Sequence, residues 1–160
     1  MGIELDQLIE EYLAGPAMLR RAVAGLSGEQ LRARPVPGKW STLEVVCHLS
    51  DFEAVYADRM KRVIAEPEPP LRSGDPDLFA ASLAYHSRDL DEELTLVETT
   101  RRQMARILRS IPPQAFQRTG IHSSDGPITL EALLRRITGH IPHHVRFIDQ
   151  KRKSLLDVGS

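Results

Sequence analysis

Four of the six histidines fall in two stretches whose residue types suit metal binding. His140 and His144 are four residues apart, so on a helix both rings can face one ion. His48 lies at the edge of the apolar face of an earlier predicted helix. Three neutral imidazoles would leave a fourth position for water or substrate, as in catalytic zinc sites. These histidines are therefore candidates for a divalent-metal site, and histidines that only make hydrogen bonds in the core are the alternative.

The phase of the last predicted helix separates its three histidines. At about 100° per residue, His144 falls roughly 40° from the centre of the apolar face, His140 roughly 80° and His143 roughly 140°. His140 and His144 are thus expected to point inward. His143 has ligand spacing with His140 too, but its phase beside Arg136 and Arg146 favours a solvated role.

Four amphipathic segments must position these side chains. Apolar residues recur at helical spacing over residues 3–25, 41–65, 77–110 and 130–151. Ser41 and Glu44 have the spacing of a capping box, and Thr129 is a candidate N-cap for the last helix. Pro16 and Pro142 are expected to kink their helices. Because no convincing alternating run is present, the sequence predicts an all-α four-helix bundle with long connections.

Composition limits the classes of protein and of partner. The chain has 160 residues with 41% hydrophobic and 27% charged, which fits one domain over residues 1–160. A net charge of −1 provides no broad positive field for a nucleic-acid partner. Cys47 is the single cysteine and cannot form an intrachain disulfide. The acidic start of the sequence and the lack of a long apolar run predict a cytoplasmic protein that does not bind membranes.

Several side chains close to His48 in the sequence have competing interpretations. Glu44 could orient His48, but the capping box is the preferred role. Cys47 is expected to pack in the core, because consecutive helical residues point about 100° apart. Arg59 either forms an ion pair across the bundle or binds an anionic substrate. Trp40 is expected to close the end of the bundle, with a wall of a substrate cleft as the lesser alternative.

The remaining charged groups are expected to be mainly structural. Asp51 and Glu53 are interpreted as solvated or interhelical charges, with proximity to the site as the lesser alternative. The third predicted helix carries four arginines that are interpreted as a solvated face: Arg101, Arg102, Arg106 and Arg109. His86 and His122 have no matching partner, although His122 could approach the mouth of the site from the loop before the last helix.

The order of these motifs resembles the DinB/YfiT superfamily. The likeness runs from Pro37-Gly-Lys-Trp-Ser through His48 to Glu53, then includes Arg59, and continues from Thr129 to His144. It covers essentially the whole chain in order, and the combination is more specific than any one motif. Pro142, between the two histidines of the last helix, departs from the pattern. It removes the amide that would bond the Thr138 carbonyl, and so could alter the angle between the rings.

The resemblance implies a four-helix bundle, often a homodimer, that binds one divalent ion of nickel, zinc or iron. The positions that match the family's ligands are His48, His140 and His144, the same three that the helical phase favours. Some members look like S-transferases that use bacillithiol, mycothiol or glutathione, and many are described only as possible metal-dependent hydrolases.

Two functional hypotheses follow. In the first, the chain is an enzyme whose metal activates water or a low-molecular-weight thiol toward a small-molecule substrate, with no catalytic residue assigned beyond the ligands. In the second, the histidines are structural and the bundle acts in self-association or partner binding. Metal content separates the two hypotheses.

Overall fold

The computed structural model describes residues 2–157 and contains four long helices packed as a bundle. They are α1 (Ile3–Val23), α3 (Thr42–Ala65), α5 (Leu90–Ser110) and α6 (Leu130–Asp157). Their inward faces form the apolar core, and the predicted four-helix bundle is confirmed. No helix within the described residues is both long and apolar enough to cross a membrane.

Side-chain caps fix where the site-bearing helices begin. The Ser41 hydroxyl accepts from the Glu44 amide at 3.2 Å, and the Glu44 carboxylate accepts from the Ser41 amide at 2.7 Å. This confirms the capping box that starts α3. The Thr129 hydroxyl accepts from the Ala132 amide at 3.1 Å, so Thr129 does cap α6. A second capping box, Ser27 with Gln30, starts the short helix α2 (Gly28–Arg32).

The third predicted helix is not continuous. Residues 77–110 divide into α4 (Pro76–Ser82), a 3₁₀ turn (Tyr85–Ser87) and α5. Ala84 adopts a left-handed backbone with φ of 53°, which ends the helical path. The Asp89 carboxylate then accepts from the Glu92 amide at 2.8 Å and begins a new helix.

The last helix is longer than predicted. It runs to Asp157 rather than Lys151, because neither proline nor glycine interrupts residues 152–157. Both α1 and α6 continue through their prolines, Pro16 and Pro142. The expected kinks stay predictions.

A small sheet lies over α3, within the long connections that the sequence predicted between the helices. Strand β1 (Pro70–Leu71) pairs in parallel with β2 (Thr119–His122), and β2 pairs in antiparallel with β3 (Gly126–Thr129). Gly120 lets β2 pack closely against β1 and α3, because a Cβ there would lie 2.7 Å from Leu71 Cδ1 on β1 and 3.0 Å from Val63 Cγ2 on α3. The hairpin brings His122 toward the bundle.

One arginine at the centre of the bundle corrects the prediction of a solvated arginine face. Arg101 on α5 is fully buried and forms an ion pair with Glu53 on α3 at 2.9 Å. It also donates to the Tyr12 carbonyl on α1 and the Ile137 carbonyl on α6, each at 2.8 Å. Gly15 leaves room for its guanidinium, since a Cβ there would overlap it. Glu53 is accordingly interhelical and buried rather than solvated.

Candidate metal centre

The structure brings the three predicted histidines together. His48 projects from α3, and His140 and His144 project from α6. One nitrogen from each ring lies within 4.8 Å of the other two. The Nε2 atoms of His48 and His140 are 3.0 Å apart, and the three ring centroids are 4.7–4.9 Å from one another. Residues distant in sequence thus form one cluster of imidazole nitrogens, which we call the histidine cluster.

Aromatic rings enclose the cluster. The Trp40 ring centroid lies 5.1 Å from that of His48, and the Phe52 centroid lies 4.8 Å from it on α3. Phe147 packs beside His144 at 5.7 Å. Trp40 therefore forms a wall of the site, the lesser of its two predicted roles. These rings keep water from part of the cluster and lower its local polarity.

Burial keeps the three imidazoles neutral. Desolvation lowers the pKa of His48 to about 4 and that of His144 to about 4. Desolvation, followed by the neighbouring His48 and His144, lowers the pKa of His140 to about 3. Neutral imidazole is the form that binds metal ions. At neutral pH all three rings therefore retain a lone pair for an ion.

The donor set fits a divalent ion of the first transition row. Bonds of about 2.0–2.1 Å to a common ion hold two imidazole nitrogens roughly 3 Å apart, and the two Nε2 atoms have this spacing. The Nδ1 atoms of His48 and His140 are buried, and neither has a hydrogen-bond partner among residues 2–157. Nitrogen ligands suit zinc, nickel and iron better than calcium or magnesium.

His143 lies outside the cluster, as its phase predicted. It is exposed, and its Nδ1 lies 2.9 Å from Arg146 Nη2 on the next turn of α6. Its ring centroid is 5.0 Å from that of His144. His143 is therefore a matched control for substitutions of the cluster.

The carboxylates close to the cluster are engaged in ion pairs. Glu44 pairs with Arg34, and Asp51 pairs with Arg88 at 2.9 Å. Glu44 also forms the predicted capping box of α3, and Asp51 is partly buried. Glu53 is held by Arg101. The metal-binding group found within the described residues accordingly contains histidines alone.

Cys47 is not part of the site. Its thiol is fully buried and lies 3.5 Å from the Tyr85 carbonyl. Burial raises the pKa of the thiol to about 12, so it is not a thiolate at neutral pH. This agrees with the expected packing role.

Two cavities reach the cluster from different sides. One of about 330 Å³ includes His144 together with Trp40, Lys39 and Lys151. The other, of about 260 Å³, includes His48 and His140, and we call it the Arg59 cavity. Among the polar side chains of its remaining lining are Arg59, His122, Asp125 and Arg136. The sequence indicates His122 only as a minor candidate and gives no signal for Asp125, because the hairpin that carries both residues is not evident from the sequence.

The chain is similar over most of its length to bacterial proteins named for metal-dependent hydrolysis. A "putative metal-dependent hydrolase" of Bacillus licheniformis is 29% identical over 153 residues, which are 95% of this chain and 87% of that protein. One of Oceanobacillus iheyensis is 28% identical over 153 residues, with 94% and 88% coverage.

Two solved structures share the fold. YfiT from Bacillus subtilis, described as a "probable metal-dependent hydrolase with an unusual four-helix bundle topology", superposes with a TM-score of 0.89 at 26% identity, over 97% of this chain and 90% of that one. The mycothiol-dependent maleylpyruvate isomerase gives 0.70 at 12% identity, over 88% and 59%. The sequence pattern of the DinB superfamily matches residues 11–148, which include the whole histidine cluster. The chain belongs to the DinB superfamily.

Proposed function

We propose that this protein is a metal-dependent enzyme in which His48, His140 and His144 bind one divalent ion. The observation that carries the proposal is the convergence of three imidazole nitrogens within 4.8 Å at a point that two cavities reach. Relatives named as a "putative" and a "probable" metal-dependent hydrolase support a metal-dependent activity. The substrate we propose is a small molecule, because the cavities measure about 330 and 260 Å³.

The chain's own residues supply ligation and an enclosed site. A bound divalent ion acts as a Lewis acid and lowers the pKa of a water or thiol that it binds. Trp40 and Phe52 shield the cluster on the His48 side. Because Glu44, Asp51 and Glu53 are held by arginines, they are poor candidates for a general base. The reaction therefore depends on the ion and on positioning of the substrates.

The two cavities favour a thiol over water as the nucleophile. Hydrolysis needs space for one organic substrate, whereas S-transfer needs space for a thiol and for an electrophile. One cavity reaches His144, and the other reaches His48 and His140. The name of the maleylpyruvate isomerase also links a protein of this fold to a thiol. We propose S-transfer as the preferred activity and hydrolysis of a small substrate as the alternative.

Metal content tests the first part of the proposal. The protein is purified without a histidine tag, and elemental analysis follows separate exposure to zinc, nickel and ferrous iron. We expect about one ion per chain, a loss of uptake in His144→Ala and normal uptake in His143→Ala. Less than about 0.2 ion per chain after exposure to all three metals would favour the non-catalytic bundle.

The nucleophile is identified with two substrates on the metal-loaded protein. Monochlorobimane is supplied with cysteine, glutathione, bacillithiol or mycothiol, so that sulfur forms a bond to the carbon from which chloride leaves. An activated ester supplied without thiol reports hydrolysis. We expect bimane transfer that His144→Ala abolishes and His143→Ala retains. Ester hydrolysis alone, with the same dependence on His144, would instead support the hydrolase alternative.

A further inference from the structure

Arg59 is a buried cation without a carboxylate partner. The residue is 5% exposed, and its guanidinium carbon lies 4.9 Å from the centre of the Tyr56 ring. Nη2 donates to the Arg72 carbonyl, while Nε is buried without a partner. No carboxylate lies within 4.0 Å of it among residues 2–157, whereas the buried Arg101 has Glu53. A desolvated charge is costly unless an opposite charge compensates it.

The guanidinium of Arg59 lines the same cavity as the histidine cluster. The lining of the Arg59 cavity includes His48 and His140 from the cluster, and its charged or ionisable groups also include Arg59, His122, Asp125 and Arg136. The geometry therefore places a positive group and two candidate metal ligands around one small volume.

The charges of the Arg59 cavity leave one positive charge uncompensated. Arg136 is paired with Asp125 at 2.6 Å. His122 Nδ1 accepts from the amides of Ser124 and Asp125 at 3.4 and 3.3 Å and lies 3.7 Å from the Asp125 carboxylate. The two guanidiniums and the one carboxylate sum to one positive charge. This balance suits a monoanion.

We propose that the Arg59 cavity binds the carboxylate of a small-molecule substrate, with Arg59 as the main anchor. A guanidinium offers several N–H donors in a plane and matches the two oxygens of a carboxylate. The substrate's reacting group would then lie toward His48 and His140. That last step rests on the proposed metal-dependent function, whereas the anion site itself rests on Arg59 and the charges around it.

The test compares benzoate with benzamide, which have similar shapes and differ in charge. NMR titrations at neutral pH and low salt are made on metal-free and zinc-loaded protein. We expect benzoate to bind at least about tenfold more tightly than benzamide in both forms. Arg59→Met, which keeps an unbranched apolar stem, should remove this preference. Arg62→Gln is the control, because Arg62 is exposed on the same helix and pairs with Asp58 and Glu66.

A second variant keeps the test informative if Arg59→Met does not fold. Because Arg136 is about half exposed, we expect Arg136→Gln to fold, and this variant leaves Asp125 to offset the charge of Arg59. We expect the benzoate preference to fall several-fold in this variant.

Three outcomes would overturn the proposal: equal binding of the two probes, a preference that survives Arg59→Met, or a preference seen only with zinc. The anion site is judged separately from the metal site. If no metal binds but metal-free protein still prefers benzoate through Arg59, the metal proposal fails and the anion site stands.

Discussion

The protonation state of three imidazoles, of which His48 is buried and the other two are partly buried, controls the candidate metal centre. Burial lowers their pKa values from 6.5 to about 4 for His48 and His144 and about 3 for His140. As the pH falls below 6.5, the unfolded chain takes up protons that the folded chain excludes, so stability decreases. We expect the free energy of unfolding of the metal-free protein to fall by on the order of 1 kcal/mol per histidine between pH 7 and pH 5. Urea denaturation at the two pH values measures the change.

Comparison with a variant assigns this pH dependence to the cluster. His144→Ala removes one of the three groups, so its stability should fall less between the same two pH values. Equal losses in wild type and variant would mean that the dependence arises elsewhere in the chain.

At the residue level, helical phase predicted the metal-ligand candidates but missed the buried charge of Arg101. His140 and His144 face inward and His143 outward, as the apolar face of α6 required. Arg101 was assigned to a solvated face because charged residues surround it in the sequence. It nevertheless lies four residues after Val97 and three before Met104, both of which are buried. That spacing was the available signal, and only a partner on another helix, Glu53, explains why the charge is tolerated there.

At the level of helices, the capping box of α3 fixes the start of the helix that carries His48. Ser41→Ala removes the hydroxyl that accepts from the Glu44 amide, and we expect a loss of about 1 kcal/mol in the free energy of unfolding. Metal affinity should fall as well, because His48 lies two turns into this helix. Calorimetric metal titration and urea denaturation measure both effects.

The second capping box provides the matched control. Ser27→Ala removes the corresponding bond to the Gln30 amide at the start of α2, away from the histidine cluster. We expect it to lower the free energy of unfolding by the same amount as Ser41→Ala or less, and to leave metal affinity unchanged. Equal effects of the two substitutions on metal affinity would show that the cap of α3 has no specific link to the site.

Periodicity predicted the long helices but not their interruptions or the sheet. The helical spacing of apolar residues can continue across a short break between two helices. The break at Ala84 and the N-cap at Asp89 therefore do not interrupt the apolar pattern in the sequence. Strands of two to four residues are too short to show an alternating pattern. His122 depends on this sheet for its position, which is why its place in the Arg59 cavity could not be assigned from the sequence.

At the level of the whole molecule, the homodimer implied by the family resemblance stays a prediction. We expect light scattering coupled to size-exclusion chromatography to give about twice the chain's mass of 18.0 kDa. A mass equal to one chain at micromolar concentrations would contradict it.

A single side chain connects all four long helices. Arg101 on α5 bonds to Glu53 on α3, to the Tyr12 carbonyl on α1 and to the Ile137 carbonyl on α6. The Tyr12 hydroxyl donates to the same carboxylate at 2.8 Å. Ile137 lies three residues before His140, so this network also fixes the part of α6 that carries the cluster.

Removing Arg101 should therefore affect stability and metal binding together. Arg101→Met leaves Glu53 buried without its cation, and we expect a loss of about 3–5 kcal/mol in the free energy of unfolding. The double variant with Glu53→Gln should lose less free energy of unfolding than the sum of the losses in the two single variants, because each single substitution removes the same ion pair. Arg102→Met is the control, since Arg102 is 58% exposed in its side chain and should change stability by less than about 0.5 kcal/mol. Additive losses of stability in the double variant would contradict an energetic coupling of Arg101 with Glu53. Unchanged metal affinity in Arg101→Met would show that the Arg101 network does not influence the histidine cluster.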